Sequence, residues 1–238
     1  NHIAKWNGNV WSAMGLGMNA EVSALAALGS DLYAGGAFTM AGGLEANFIA
    51  KWNGREWGAV GSGVNSGVGA LAASGSDLYA GGYFTLAGGI EANRIARWDG
   101  TAWSALGSGL GGDEGAFPPA VFALAASGDE LFAGGTFTKA DGREANYLAR
   151  WNGNTWSSVG SGMDNWVHAL ALSGSDLYAG GSFTTAGGSP ASYIARWDGG
   201  AWSALGSGVD ASVLALALGG SDLHVGGGFQ IAGGKVSA

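Results

Sequence analysis

A sentence of about 46 residues, written five times, constrains this chain more than any other feature. Residues 78–98 read LYAGGYFTLAGGIEANRIARW, and the same words return near 32, 131 and 177 and, altered to LHVGGGFQIAGG, near 223. The Trp of a W-[ND]-G word falls at Trp6, Trp52, Trp98, Trp151 and Trp197, spaced 46, 46, 53 and 46. The glycine pair that starts at Gly35, Gly81, Gly134, Gly180 and Gly226 keeps the same spacing. Ala238 therefore stands one repeat on from where Asn1 stands, and the phase predicts a ring of five units. Such a period means one supersecondary unit stacked on its own copies.

Each repeat reads as four short strands. VGALAAS and LYAGGYF flank a Gly-Ser-Asp turn, and RIARW and AWSAL flank Asp99-Gly100. Asn-Gly or Asp-Gly between apolar runs is a strong hairpin signal, and it recurs at Asn7, Asn53, Asp99, Asn152 and Asp198. Five such units predict an all-β, five-bladed β-propeller of four-stranded antiparallel blades, a single domain over 1–238. Because the chain starts at a third strand and stops after a second, the N-terminal strands IAKW and VWSAM are expected to complete the blade begun by VLALAL and DLHVGGGF. With Asn53-Gly54 as a two-residue loop, Trp52 is expected opposite Arg55, Lys51 opposite Glu56 and Ala50 opposite Trp57. That register makes Trp52 and Trp57 diagonal neighbours on one face. Ten of the eleven Trp fall into such pairs and are read as blade packing; Trp166 stands apart. An acid opens each second strand (Asp31, Asp77, Glu130, Asp176, Asp222) and a cation sits in each third (Lys51, Arg97, Arg150, Arg196, Lys5). Five intra-blade ion pairs are expected, the last of them Asp222 with Lys5.

Bulk composition excludes several classes. With 47% hydrophobic residues, eleven Trp and only 12% charged residues, the chain can bury a core and is not disordered. Glycine and polar residues interrupt every apolar run, so no membrane insertion is expected. The net charge of −8 argues against a nucleic-acid partner, whose phosphates need clustered Lys and Arg. The absence of cysteine rules out disulfides and cysteine-ligated zinc. The chain opens inside a repeat, on NHIAKW, without an export-signal pattern, which is not read as evidence for the cytoplasm.

LYAGG followed by IARWDGTAW resembles the kelch-type propeller pattern, in which a strand ending in Gly-Gly precedes a turn and a Trp. The fuller repeat is similar to those of bacterial surface proteins and of fungal cortical polarity-marker propellers. The resemblance spans the whole chain and implies a propeller at the cell surface or outside the cell. It leaves function open, since such propellers serve as scaffolds, lectins and enzymes.

Catalytic vocabulary is sparse. Gly107, Gly109 and Gly112 satisfy G-x-G-x-x-G by chance in a glycine-rich chain, with Pro118 and Pro119 where a phosphate-binding helix would start. Of three histidines, His168 occupies a variable position of the first strand, where the other repeats have Ser23, Gly69, Phe122 and Leu214. No serine or cysteine partner for it is evident in the sequence. Repetition supplies an internal control: residues shared by all repeats serve the ring, and those that differ can serve function. The differences collect in loops before the first strand and after the second, which carry nine acids against four cations. There lie the seven-residue insertion of the third repeat, within GGDEGAFPPA, and Trp166 of the fourth. The candidate ligand site is Asp113, Glu114, Phe117, Phe122, Asp164, Trp166, His168 and Asp210, aromatics rimmed by acids. The expected function is non-catalytic recognition of a protein or a glycan by a monomer, without a cofactor, calcium being the one ion these acids could take. A multivalent lectin with one carbohydrate site per blade is the alternative, and a hydrolase or lyase using His168 with Asp164 the distant one.

Overall fold

The computed structural model describes residues 1–112 and 117–236 and divides into two compact portions, Asn1–Gly109 and Leu110–Ala238. Among the described residues there is no helix. The first portion holds two four-stranded antiparallel sheets in simple meander order. One comprises Val22–Leu28, Asp31–Gly36, Ile49–Trp52 and Trp57–Ala59; the other comprises Val68–Ser74, Asp77–Gly82, Ile95–Trp98 and Trp103–Ala105. The second portion repeats the pattern with Val121–Ser127, Glu130–Gly135, Leu148–Trp151 and Trp156–Ser158, then Val167–Ser173, Asp176–Gly181, Ile194–Trp197 and Trp202–Ala204. Two-residue ribbons such as Met40–Ala41 with Leu44–Glu45 decorate the loops between second and third strands. The core lies between successive sheets: Tyr33 and Ile49 of the first pack with Val68, Leu78 and Phe84 of the second. Phe132 and Leu148 do the same with Val167, Leu177 and Phe183.

The sequence-predicted register of the W-[ND]-G hairpin is corrected. Trp52 lies directly opposite Trp57 and Lys51 opposite Gly58, so the loop holds four residues rather than two. The cause is the Asn53 side chain, whose Oδ1 accepts the N–H groups of Arg55 and Glu56 at 2.9 and 3.0 Å, while Gly54 takes a φ of +95°. A side chain that bonds its own backbone two residues on builds a different turn from the one Asn-Gly signals in a two-residue loop. In the Asp99 copy the N–H of Ala102, with the hydroxyl and N–H of Thr101, holds the carboxyl down to about 2. The Trp pairing survives the correction, with ring centroids 5.3 Å apart for Trp52 and Trp57 and 5.4 Å for Trp98 and Trp103.

The Gly-Gly word has two separate causes. A Cβ on Gly35 would sit 2.4 Å from Cγ1 of Val68 in the next sheet, and one on Gly180 equally close to Val213. The second glycine lies where the register of the first two strands shifts, and a Cβ on Gly36 would meet the Glu21 carbonyl at 2.1 Å. A valine side chain of the next sheet therefore dictates the first glycine, and the backbone carbonyl just before the neighbouring strand dictates the second.

The residue after E-A-N, or after P-A-S in the fourth repeat, carries positive φ without being glycine: Phe48, Arg94, Tyr147 and Tyr193 lie at 64–66°. This left-handed conformation is unfavourable for bulky side chains. Two backbone bonds hold it, from Phe48 N to the Phe38 carbonyl and from Gly36 N to the Phe48 carbonyl.

Four of the expected ion pairs form inside their sheets, Lys51–Asp31 at 3.2 Å, Arg97–Asp77 at 3.5 Å, Arg196–Asp176 at 2.8 Å and Arg150–Glu130. Partly exposed, each contributes about 0–1 kcal/mol and serves register more than stability. Of the five four-stranded blades expected, four stand as such. Ala4–Trp6 with Trp11–Ala13, and Val213–Gly219 with Asp222–Gly227, are two-stranded sheets. Trp11 is accordingly 71% exposed, against 2% for its counterpart Trp57.

Candidate functional site

Three positions of the repeat vary most around the start of the first strand. The residue before its opening Val is Glu21, Gly67, Ala120, Trp166 or Ser212, and the residue after it is Ser23, Gly69, Phe122, His168 or Leu214. The residue following Gly-Gly is Ala37, Tyr83, Thr136, Ser182 or Gly228. A shared strand pairing brings these positions together, because the residue before Val accepts a backbone bond from the residue after Gly-Gly: Ser182 N donates to the Trp166 carbonyl at 2.9 Å.

In the second portion the variable side chains build one cluster. Phe117 meets Trp166 edge to face, with centroids 5.0 Å apart, and Trp166 stands perpendicular to His168 at 6.1 Å. Phe122 stacks on His168 at 5.8 Å. The Thr136 hydroxyl anchors the loop that carries Phe117, accepting from Ala120 N and donating to the Pro118 carbonyl. Phe117 itself is 63% exposed. Beneath the rings runs a chain of polar atoms: His168 Nε2 lies 2.9 Å from Ser182 Oγ, which lies 3.0 Å from Ser212 Oγ. Burial pushes the His168 pKa below its ordinary value, so the imidazole is neutral at neutral pH. A neutral ring with one donor and one acceptor, linked to two hydroxyls, can exchange hydrogen bonds with a ligand's hydroxyl or carbonyl groups.

Sequence reasoning placed Phe117, Phe122, Trp166 and His168 together, and the structure brings these four into contact. It missed Ser182 and Ser212, and its statement that His168 lacks a serine neighbour is corrected. Both serines occupy variable positions, the signal that could have found them.

The acids divide differently. Asp164 turns its carboxylate to its own loop and not to His168: its Oδ1 accepts from Thr184 N and Thr185 N at 2.8 and 2.9 Å, and its Oδ2 from the Thr184 hydroxyl at 2.7 Å. Partial burial disfavours its charge, but these bonds outweigh it and hold the carboxyl below the usual range. Asp210 accepts from Gln230 N and Ile231 N at 2.8 and 2.9 Å, and the N–H groups of Ile231 and Gln230 lower its pKa in turn. Asn19 and Asn65 do the same work for Thr39 and Thr85. In the third repeat the Gly111 carbonyl substitutes, accepting from Thr138 N at 2.9 Å. Asp164 and Asp210 are thus loop braces with a structural duty. Asp113 and Glu114 lie outside the described residues. Among the described residues no three acids or histidines are grouped to hold a metal ion.

A second feature recurs with the repeat. A crevice of 290 Å³ lined by Glu45, Asn47 and Ser62 returns 46 residues on as one of 200 Å³ lined by Glu91, Asn93 and Ser108. In both, the Asn side chain donates to the carbonyl of the Ser, at 3.3 and 3.2 Å.

No protein-family model matches the chain, and no curated protein sequence does either. Solved structures do. YCF48 bound to D1 peptide is 15% identical, over 96% of this chain and 70% of that one, with a TM-score of 0.54. The extracellular domain of BT4673 from B. thetaiotaomicron is 12% identical, over 86% of this chain and 26% of that one, at 0.55. The computationally designed Ika8 protein is 17% identical, over 93% and 71%, at 0.50. The fold is propeller-like. At these identities the likeness speaks for fold alone, and no family match accompanies the kelch-type resemblance of the repeat.

Proposed function

We propose that this chain is a recognition module that binds a protein or a glycan, without turnover, through the ring cluster of its third and fourth repeats. The observation that carries this is the convergence of Phe117, Trp166, Phe122 and His168 over the Ser182–Ser212 pair, at positions where the repeats disagree. The exposed Phe117 and the half-buried Trp166 offer apolar area with little entropy cost, and the polar chain below supplies specificity. Binding without chemistry accounts better for the surroundings of Ser182. The N–H groups of Gly181 and Ser182 already donate to the Tyr193 and Trp166 carbonyls, so neither is free to stabilise an oxyanion. The parent architecture is a single five-bladed ring of kelch-like type, extracellular or on the cell surface and monomeric. In it the terminal hairpins share a blade and Lys5 pairs with Asp222. Titrating the protein over a glycan array and a peptide library, with Trp166→Ala plus Phe117→Ala as the control, tests the site; a double variant that binds like the parent places it elsewhere.

The recurrence of the Glu-Asn-Ser crevice favours a second reading, a lectin with one carbohydrate site per repeat. Several ligands per chain in that titration decide for it, one ligand against it.

A further inference from the structure

We propose a separate binding site for a neutral pyranose ring in the crevice between the third and fourth repeats, away from the Trp166 cluster. This crevice, of 270 Å³, is lined by Glu130, Phe132, Arg150, Ser158, Ser175 and Trp197, among others. Three of these six depart from what the other repeats carry. Glu130 stands where they have Asp, and Ser158 where they have Ala13, Ala59, Ala105 and Ala204. Phe132 stands where Tyr33, Tyr79 and Tyr178 stand in three other repeats.

The equivalent place between the first and second repeats shows what the changes do. There the Trp98 indole N–H donates to the Tyr33 hydroxyl, and Tyr33 is buried. Trp197 is the counterpart of Trp98, but Phe132 has no hydroxyl to meet its N–H. One oxygen is thus missing from the crevice together with its acceptor. The Ala-to-Ser change adds a hydroxyl to the same wall. Arg150 pairs with Glu130 through Nη2, while its Nε is buried without a hydrogen-bond partner. A buried N–H left unmet is costly, and it marks this wall as one whose polar groups are incompletely satisfied.

The chemistry of the wall selects the occupant. Arg150 and Glu130 neutralise one another, so neither an anion nor a cation has an unopposed counter-charge. The Trp197 indole lacks the Tyr hydroxyl that its counterpart Trp98 meets, and Ser158, Ser175 and the Glu130 carboxylate offer partners to hydroxyls. Phe132 and Trp197 supply aromatic surface for an apolar ring face. A pyranose meets all three demands with its hydroxyls, its ring oxygen and its C–H face. The volume lies just below the roughly 300 Å³ at which drug-sized sites begin, which suits one sugar ring rather than a chain.

The test is isothermal titration calorimetry of the whole protein with glucose, galactose, mannose and N-acetylglucosamine, each added as the free sugar and as the methyl glycoside. The expected result is one site per chain for at least one sugar. Phe132→Tyr, which restores the filling hydroxyl, and Ser158→Ala should each weaken it at least about tenfold, or 1.4 kcal/mol. Trp166→Ala should change it less than about twofold, within the range of distant independent sites. Tyr and Ala are the residues of other repeats, and thermal melting checks that the variants fold; should Phe132→Tyr melt early, Ser158→Ala decides. Binding only of the glycosides marks a glycan terminus as the source, and equal binding of both forms a free sugar; either supports the site. No heat from any sugar at about ten times a millimolar Kd overturns it. So does binding that survives both crevice variants, or binding lost only in Trp166→Ala. Failure at Trp166 alone leaves this crevice intact, so the two sites fail distinguishably.

Discussion

The indole N–H of Trp103 donates to the carbonyl of Val60 at 3.0 Å, from the fourth strand of one repeat to the end of the repeat before it. Trp57 reaches Met14 and Trp202 reaches Val159 in the same way, each 43 residues back along the chain. One residue type therefore packs its own hairpin and ties successive repeats together. Trp103→Ala is expected to cost about 3–5 kcal/mol in chemical denaturation, as for other buried aromatics. Trp103→Phe, which keeps most of the ring but leaves the Val60 carbonyl unmet, should cost about 1–3 kcal/mol. Trp166→Ala should cost less than about 1 kcal/mol, since its neighbour Phe117 is itself exposed. Equal losses at Trp103 and Trp166 would refute a recognition role for the latter.

Asp164 braces a loop that asparagine braces in the first two repeats. Asp164→Asn is expected to stay within about 0.5 kcal/mol of the parent. Asp164→Ala, which removes all three bonds, should lose about 1 kcal/mol. The pH dependence follows from the lowered carboxyl. Its stabilising effect is complete above the unfolded value near 4 and is lost as pH falls through the lower folded value. The Asn variant should lack that part of the acid limb when midpoints are compared between pH 5 and pH 2.

His168 has the corresponding behaviour for a base held neutral. Below its ordinary value near 6.5 the unfolded chain takes up a proton that the folded chain resists. Stability at this site is full above that value and falls with pH until the folded imidazole also titrates. NMR titration should place the His168 midpoint below 6.5. A midpoint at or above that value would mean that burial does not disfavour the charged ring, and the polar chain to Ser182 would need another description.

Removing residues 1–15 tests the shared blade. On the five-bladed reading the deletion leaves the Val213–Gly227 hairpin with a bare strand edge, a template for pairing between molecules. Oligomers are expected by size exclusion with light scattering. A monodisperse, unchanged monomer would count against the shared blade.

Strand positions were legible because the repeat marks them five times over, and side-chain alternation needs only that. Loop length was not: Asn53 and Asp99 announce a turn, but whether the side chain closes it is a matter of hydrogen bonds that the dipeptide does not encode. The left-handed residues were invisible because Phe48, Arg94, Tyr147 and Tyr193 are not types that favour positive φ; their backbone partners impose the conformation. For the ring cluster, comparing repeats with one another found the aromatics and His168. Asp164 and Asp210 looked like free acceptors because asparagine replaces them elsewhere, and asparagine does not read as an acid. Treating Asn and Asp as one oxygen would have revealed the brace.

The absent methyl at Gly35, facing Val68, acts as a feeler gauge between adjacent sheets. Its thickness is fixed by two residues, and neither belongs to the ligand-facing set. The spacing of the scaffold and the wording of its surface can therefore be edited separately. Trp166, Ser182 and Ser212 could be exchanged for other side chains without moving one repeat against the next. A single Gly35→Ala would shift that spacing while leaving every recognition residue as it is.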